Sequence, residues 1–289
     1  MRGWIVWALG ASAVAAACGS SGKGTNDNAP DASAGSAGGE DGSGGGIGSG
    51  PLTGLTDGGW STSEDAQAFE PVFAPDGAAL RQADAGYPQC DGGVLPADDF
   101  ITGVVSFEAG ACAGFGQSEL PGIVFGPPVG AGASLGGLDV VSLGNGGSIV
   151  VSFSQDIVDG PGPDFLVFEN PFAVGGNPND VYAEPGQVSV SEDGVNWTAF
   201  PCTATSYPYG TCAGWHPVFS NPDNCISPLD VANAGGDPFD LADVGVTSAR
   251  YVKIVDEIIE ACASNPADAP NTNGFDLDAI AILHGSGND

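Results

Sequence analysis

Glycine and proline fill nearly a quarter of this chain, 48 and 22 of its 289 residues. Both are poor in a helix interior, Gly by about 1 kcal/mol and Pro by about 3 kcal/mol relative to Ala. A helical bundle is excluded on that ground. The length fits one large β-sandwich with appendages as readily as two compact domains. Charge narrows the partners: 36 Asp and Glu face 5 Lys and Arg, a formal net charge of −31, and a field of that sign repels phosphate backbones and anionic headgroups. Nucleic-acid binding is thereby excluded. The chain has 2 histidines, His216 and His284, so it has few of the side chains that usually serve as general bases near neutral pH.

At the N-terminus Arg2 precedes an apolar stretch over residues 4–14, shorter than the roughly 20 residues that span a bilayer. It reads as an export signal, not a membrane helix. The run Ala15, Ala16, Ala17, Cys18 resembles the lipobox of bacterial lipoproteins. That resemblance makes residues 1–17 the signal peptide and Cys18 the lipidated first residue, with an ordinary signal-peptidase site nearby as the competing reading. Gly19 after the cysteine implies, by the enteric sorting rule, the outer membrane, on its cell-surface or periplasmic face. The membrane would then be touched only through the lipid. Residues 18–59 are expected to be a flexible linker, since 12 Gly and 6 Ser crowd positions 19–50 and such a stretch buries too little apolar area to offset its ordering entropy. Its root-mean-square reach is about 30 Å. Residues 60–89 form a partly ordered lead-in, and residues 90–286 the folded domain.

The cysteines fit an exported protein. Of 7 cysteines, setting aside Cys18 leaves an even number, which in an oxidising compartment reads as a disulfide framework. Connectivity is open from sequence; closing the shortest loops pairs Cys90 with Cys112, Cys202 with Cys212, and Cys225 with Cys262. A structural zinc site is disfavoured because no Cys-x-x-Cys or closely spaced His pair is present.

From about Cys90 onward, short runs rich in β-branched and aromatic residues alternate with turn signals. The runs at 101–107, 149–153, 165–168, 188–190, 251–255 and 279–283 have strand length. Several alternate apolar with small or polar residues, as in SIVVSF at 148–153, which suits a sheet with one face in a core. Gly144 to Gly147, Asp159 to Pro163 and Asp193-Gly194 supply turn chemistry. Many strands without intervening helices point to an all-β, antiparallel sandwich or jelly roll, stapled by disulfides.

The motif VSVSEDGVNW at 188–197, followed after an insertion by ARYVKI at 249–254, resembles the hairpin and following strand of discoidin-like (galactose-binding-like) sandwiches. In that arrangement Trp197 caps the core, and Arg250 and Tyr251 point alternately out and in. GPDFLVFEN at 162–170, GDPFDLAD at 236–243 and GFDLDAI at 274–280 resemble a group of exported bacterial cell-surface lipoproteins. These motifs span roughly residues 147–284. The resemblance implies the fold and is nearly silent on activity, and the cysteine-bearing insertion at 201–228 departs from plain discoidin modules.

The carboxylates in these motifs point to a structural Ca²⁺ ion, which takes six to eight oxygen ligands in flexible geometry. The ligand set expected is Asp164, Glu169, Asp237, Asp240, Asp276 and Asp278, gathered at one edge of the sandwich. Solvated turn aspartates are the plainer alternative. Catalysis is not expected: Ser206 and Ser220 lack the Gly-x-Ser-x-Gly elbow, and a glycosidase carboxylate pair needs a cleft that sequence does not show. Trp215, His216 and Asn221 form an aromatic, amide-bearing loop suited to stacking on a sugar, or to covering the sandwich rim. The reading is a surface-tethered, Ca²⁺-stabilised binding or adhesion module for a glycan or surface polymer. Its rivals are a carbohydrate-active hydrolase and a passive envelope component.

Overall fold

The computed structural model describes residues 86–203, 205–257 and 273–287. The signal peptide, Cys18, the linker, the lead-in up to residue 85 and Cys262 lie outside them. Among the described residues the regular structure is strands and short 3-10 turns, with no α-helix. In chain order the strands are β1 (Tyr87–Pro88), β2 (Val94–Leu95), β3 (Gly103–Glu108), β4 (Val141–Ser142), β5 (Ser148–Val158), β6 (Phe165–Phe168) and β7 (Phe172–Ala173). They continue as β8 (Val181–Tyr182), β9 (Gly186–Ser191), β10 (Thr198–Ala199), β11 (Asp237–Phe239), β12 (Ser248–Asp256), β13 (Asp276–Leu277) and β14 (Ala279–Ile282).

All strand pairs are antiparallel. A five-stranded sheet runs β10-β9-β12-β5-β3 and a three-stranded sheet runs β11-β6-β14, with β13-β4, β1-β2 and β7-β8 as two-stranded pairs. Each of the six strand-length runs in the sequence falls on one of these strands. Turn chemistry sets the ends: Gly194 takes φ 73°, and the Asp193 carboxylate accepts hydrogen bonds from the Val195 and Asn196 amides at 2.8 and 2.7 Å. Those bonds hold the Asp193 pKa well below the usual carboxylate range.

Val104, Ile149, Val151, Val188 and Ile254 of the five-stranded sheet share one buried apolar cluster with Phe165, Val167, Phe239 and Ile280 of the three-stranded sheet. A second cluster joins Tyr87 and Leu95 of the β1-β2 pair to Phe168, Val218 and Ala234. Two local expectations change. Arg250 and Tyr251 do not alternate: both are half-buried because the register shifts between Ala249 and Tyr251, a bulge that places Ala249 and Val252 both in the core. Trp197 is only half-buried, with the Lys253 ammonium 4.7 Å from its ring centroid, and Phe200 fills the core position instead.

The disulfides correct the shortest-loop pairing. Cys202 bonds to Cys212 as expected, whereas Cys90 bonds to Cys225 and neither to Cys112 nor leaving Cys225 for Cys262. Cys112 is disulfide-bonded as well. Loop-closure entropy favours near neighbours only when packing is indifferent. Here packing decides, because the β1-β2 pair buries Tyr87 and Leu95 against Val218 and so brings Cys90 to the Cys225 loop.

Candidate functional site: a buried carboxylate cluster

Strand β6 organises the acidic motifs. It lies between β11 and β14, and its flanking residues Asp164 and Glu169 are both buried. At roughly 3.3 Å per residue they stand about 16 Å apart. Antiparallel pairing places the neighbours accordingly. Asp237 sits opposite Val167 and the Asp278 amide donates to Phe168 O, so both belong with Glu169. Asp240 follows Phe239, which pairs with Phe165, and belongs with Asp164. The six carboxylates expected to share one ion are therefore sorted to opposite ends of a strand.

At the first end Asp159, Asp164 and Asp240 bring carboxylate oxygens within 4.8 Å of one another. Asp164 is nevertheless committed to structure. Its Oδ1 accepts from the Gly160 amide at 2.8 Å and lies 2.8 Å from His284 Nδ1, while its Oδ2 accepts from the Leu241 amide at 2.7 Å. Asp240 caps the 3-10 turn Leu241–Val244 through the Ala242 amide, 2.9 Å away.

At the second end Glu169, Glu184 and Asp276, with relative exposures of 1%, 5% and 7%, hold carboxylate oxygens within 4.8 Å of one another. One oxygen of each glutamate fastens the segment before β14: Gly274 N donates to Glu184 Oε1 at 2.6 Å and Asp276 N to Glu169 Oε1 at 3.3 Å. Glu169 Oε2 and Asp276 Oδ1 are buried with no hydrogen-bond partner among the described residues. Asp276 Oδ2 accepts from Asn170 Nδ2 at 3.3 Å. Burial pushes the Asp276 pKa up to about 7, against the Ser142 and Asn170 side chains and with a further push from the Asp256 charge. Burial, then the charges of Asp276 and Glu184, drive Glu169 well above its ordinary value. An anionic oxygen shut away from water without a donor is costly, which is the physical cause of both raised pKa values.

Asp237 and Asp278 lie near this cluster without joining it. Asp278 Oδ2 accepts from the Val129 amide at 3.0 Å, and burial raises its pKa well above the usual range. Asp237 accepts from the Gly214 amide at 2.7 Å and lies 2.6 Å from His216 Nδ1. Burial raises its pKa, while His216 and the two loop amides pull it down. Glu184 is the ligand candidate the motifs did not reveal. It stands between Ala183 and Pro185 outside any periodic run, and no pattern there distinguishes a buried carboxylate from a turn residue.

The aromatic loop is divided as well. Trp215 donates its indole N–H to Cys212 O at 3.0 Å, and its ring centroid lies 3.6 Å from that of His216 and 5.6 Å from that of Tyr207. Asn221 is elsewhere and occupied: its Nδ2 donates to Gly130 O at 3.0 Å and its Oδ1 accepts from the Asp223 amide at 2.9 Å. It lines a separate open pocket with Gly130, Phe219 and Ile226. No protein-family model matches the chain, and no curated protein matches it.

Proposed function

We propose that this protein is an exported lipoprotein, tethered to the outer membrane through Cys18, whose discoidin-like β-sandwich is held by a structural Ca²⁺ ion and acts as a binding or adhesion module. The observation that carries the reading is the pair of orphaned buried oxygens, Glu169 Oε2 and Asp276 Oδ1, converging with Glu184. Three carboxylates from three chain segments suit the large, flexible, all-oxygen shell of Ca²⁺ better than the tight octahedron of Mg²⁺. A two-layer sandwich is supported by the apolar cluster common to the five- and three-stranded sheets. The binding role is favoured over hydrolysis because the clustered carboxylates Glu169, Glu184 and Asp276 are buried, whereas a glycosidase pair faces a cleft that admits the sugar. The half-exposed Tyr207, Trp215 and His216 rings supply the face on which a glycan stacks. Calorimetric titration of chelator-treated protein with Ca²⁺ is expected to show one binding event, which is lost in Glu169→Gln combined with Glu184→Gln. Absence of binding in the unmutated protein would overturn the metal reading, and a glycan array with Tyr207→Ala and Trp215→Ala controls tests the ligand class.

A further inference from the structure

Leu135 and Leu138 are 69% and 79% exposed, the most exposed large apolar side chains among the described residues. They sit on one loop, residues 134–139, and neither side chain contributes burial that would hold the loop in place. Among the described residues the loop's hydrogen-bond anchor is Asn170, whose Nδ2 donates to Gly137 O at 2.9 Å. The backbone also lies close against that residue: a Cβ at Gly136 would stand 2.9 Å from Asn170 O. The same Nδ2 donates to Asp276 Oδ2, and Asn170 directly follows Glu169 in the chain. The loop is thus connected to Asp276 of the carboxylate cluster through the Asn170 side chain, while its Gly137 backbone also lies against Val129 O.

We propose that occupancy of the Glu169, Glu184 and Asp276 cluster by a divalent cation governs the order of loop 134–139, and so the presentation of Leu135 and Leu138. The proposal rests on the metal reading above. Three carboxylates this close repel one another once they are ionised with no cation between them. Glu169 and Asp276 are the two that carry Asn170, one by the chain and one by a hydrogen bond, so relaxing the cluster displaces the loop's anchor. With the cation bound, both ends of that linkage are fixed and the loop is held. Coupling of this kind needs only a local element of low stability whose equilibrium the ligand biases.

The test is limited digestion of the full chain with chymotrypsin, with Ca²⁺ or with chelator, followed by mass spectrometry of the cuts after Leu135 and Leu138. Cleavage after Phe219, exposed on another loop, reports any global change. Calcium is expected to slow the two leucine cuts roughly tenfold while changing the Phe219 cut less than about twofold. Gly136→Val leaves every carboxylate and Asn170 in place. It should retain Ca²⁺ binding by calorimetry but lose the protection, because its side chain cannot fit against Asn170. If Ca²⁺ binds the unmutated protein and the leucine cuts are unchanged, the coupling is refuted and the metal site stands. If no Ca²⁺ binds, the metal reading fails and the coupling fails with it.

Discussion

Asp237 Oδ1 lies 2.6 Å from His216 Nδ1, and through this contact an edge strand holds the loop that carries the aromatic face. The same carboxylate accepts from the Gly214 and Trp215 amides, so segment 214–216 is suspended from one buried side chain of β11. Asp237→Ala leaves these donors without their acceptor. The expected cost is about 2–3 kcal/mol, or a fall of roughly 5–10 °C in melting temperature for a domain of this size. Scanning calorimetry measures the loss, and a shift in indole emission reports release of Trp215. An unchanged melting temperature would show that Asp237 does not hold the loop.

Stability of the cation-free protein should fall as pH rises from about 5 to 7.5. Burial holds Asp276 at about 7 and Glu169 well above its ordinary value, whereas unfolded carboxyls titrate near 4. Across that window the folded chain carries more protons than the unfolded chain, so stability is fully present below the unfolded pKa and is lost as pH passes the folded one. For Asp276 alone the difference between the two pH values is about 2.5 kcal/mol, or roughly 5–10 °C. Asp193, shifted the other way by its hydrogen bonds, loses its contribution only below pH about 4 and does not mask the effect. Calorimetry in chelator at the two pH values checks the sign. Ca²⁺ should remove the share of the difference that belongs to Glu169 and Asp276, while Asp278, raised by burial outside the cluster, keeps its own; a melting temperature that rises with pH in chelator would contradict the burial argument.

Strand positions were legible because β-branched runs bounded by Gly, Pro and Asp have one good conformation. The run at 165–168 matches β6 to the residue. Strand β11 was hidden by its length and by Pro238, which an edge strand tolerates and a central one does not. The acidic motifs correctly marked both ends of β6, but which carboxylates meet is a property of antiparallel register, and a linear pattern does not contain it. Glu169 and Asp276 were readable as strand-end acids. Glu184 was not, because its burial arises from contacts with Gly274 and its neighbours, almost a hundred residues away in the chain. Asn221 shows the converse limit: a polar loop residue that looked available for a ligand spends both ends of its amide on backbone.

Replacing Cys18 by Ser should release the protein from membranes into the soluble fraction. The three alanines ahead of Cys18 and the Gly/Ser-rich stretch behind it are the basis for acylation at that residue. A diacyl anchor holds far more strongly than a single chain, which binds only marginally. Mass spectrometry of the mature N-terminus is the direct measurement; an unmodified Cys18, or a mature chain beginning elsewhere, would remove the anchor.

The two disulfides defined among the described residues should differ in what they contribute. Cys202–Cys212 closes a separation of 10 residues and Cys90–Cys225 one of 135. In the chain-entropy treatment the short bridge is worth about 2.7 kcal/mol and the long one about 5 kcal/mol, through constraint of the unfolded chain. The long bridge also fastens the β1-β2 pair, whose Tyr87 and Leu95 are its contribution to the second apolar cluster, so its loss weakens docking of that pair as well as freeing the unfolded state. Cys90→Ala with Cys225→Ala is therefore expected to lower the melting temperature about twice as far as Cys202→Ala with Cys212→Ala. Denaturant titration of both double variants, each compared with the unmutated protein under non-reducing conditions, reads the two values. An equal or smaller loss for the long bridge would mean that the hairpin docks by packing alone, with the unfolded chain already constrained between those positions.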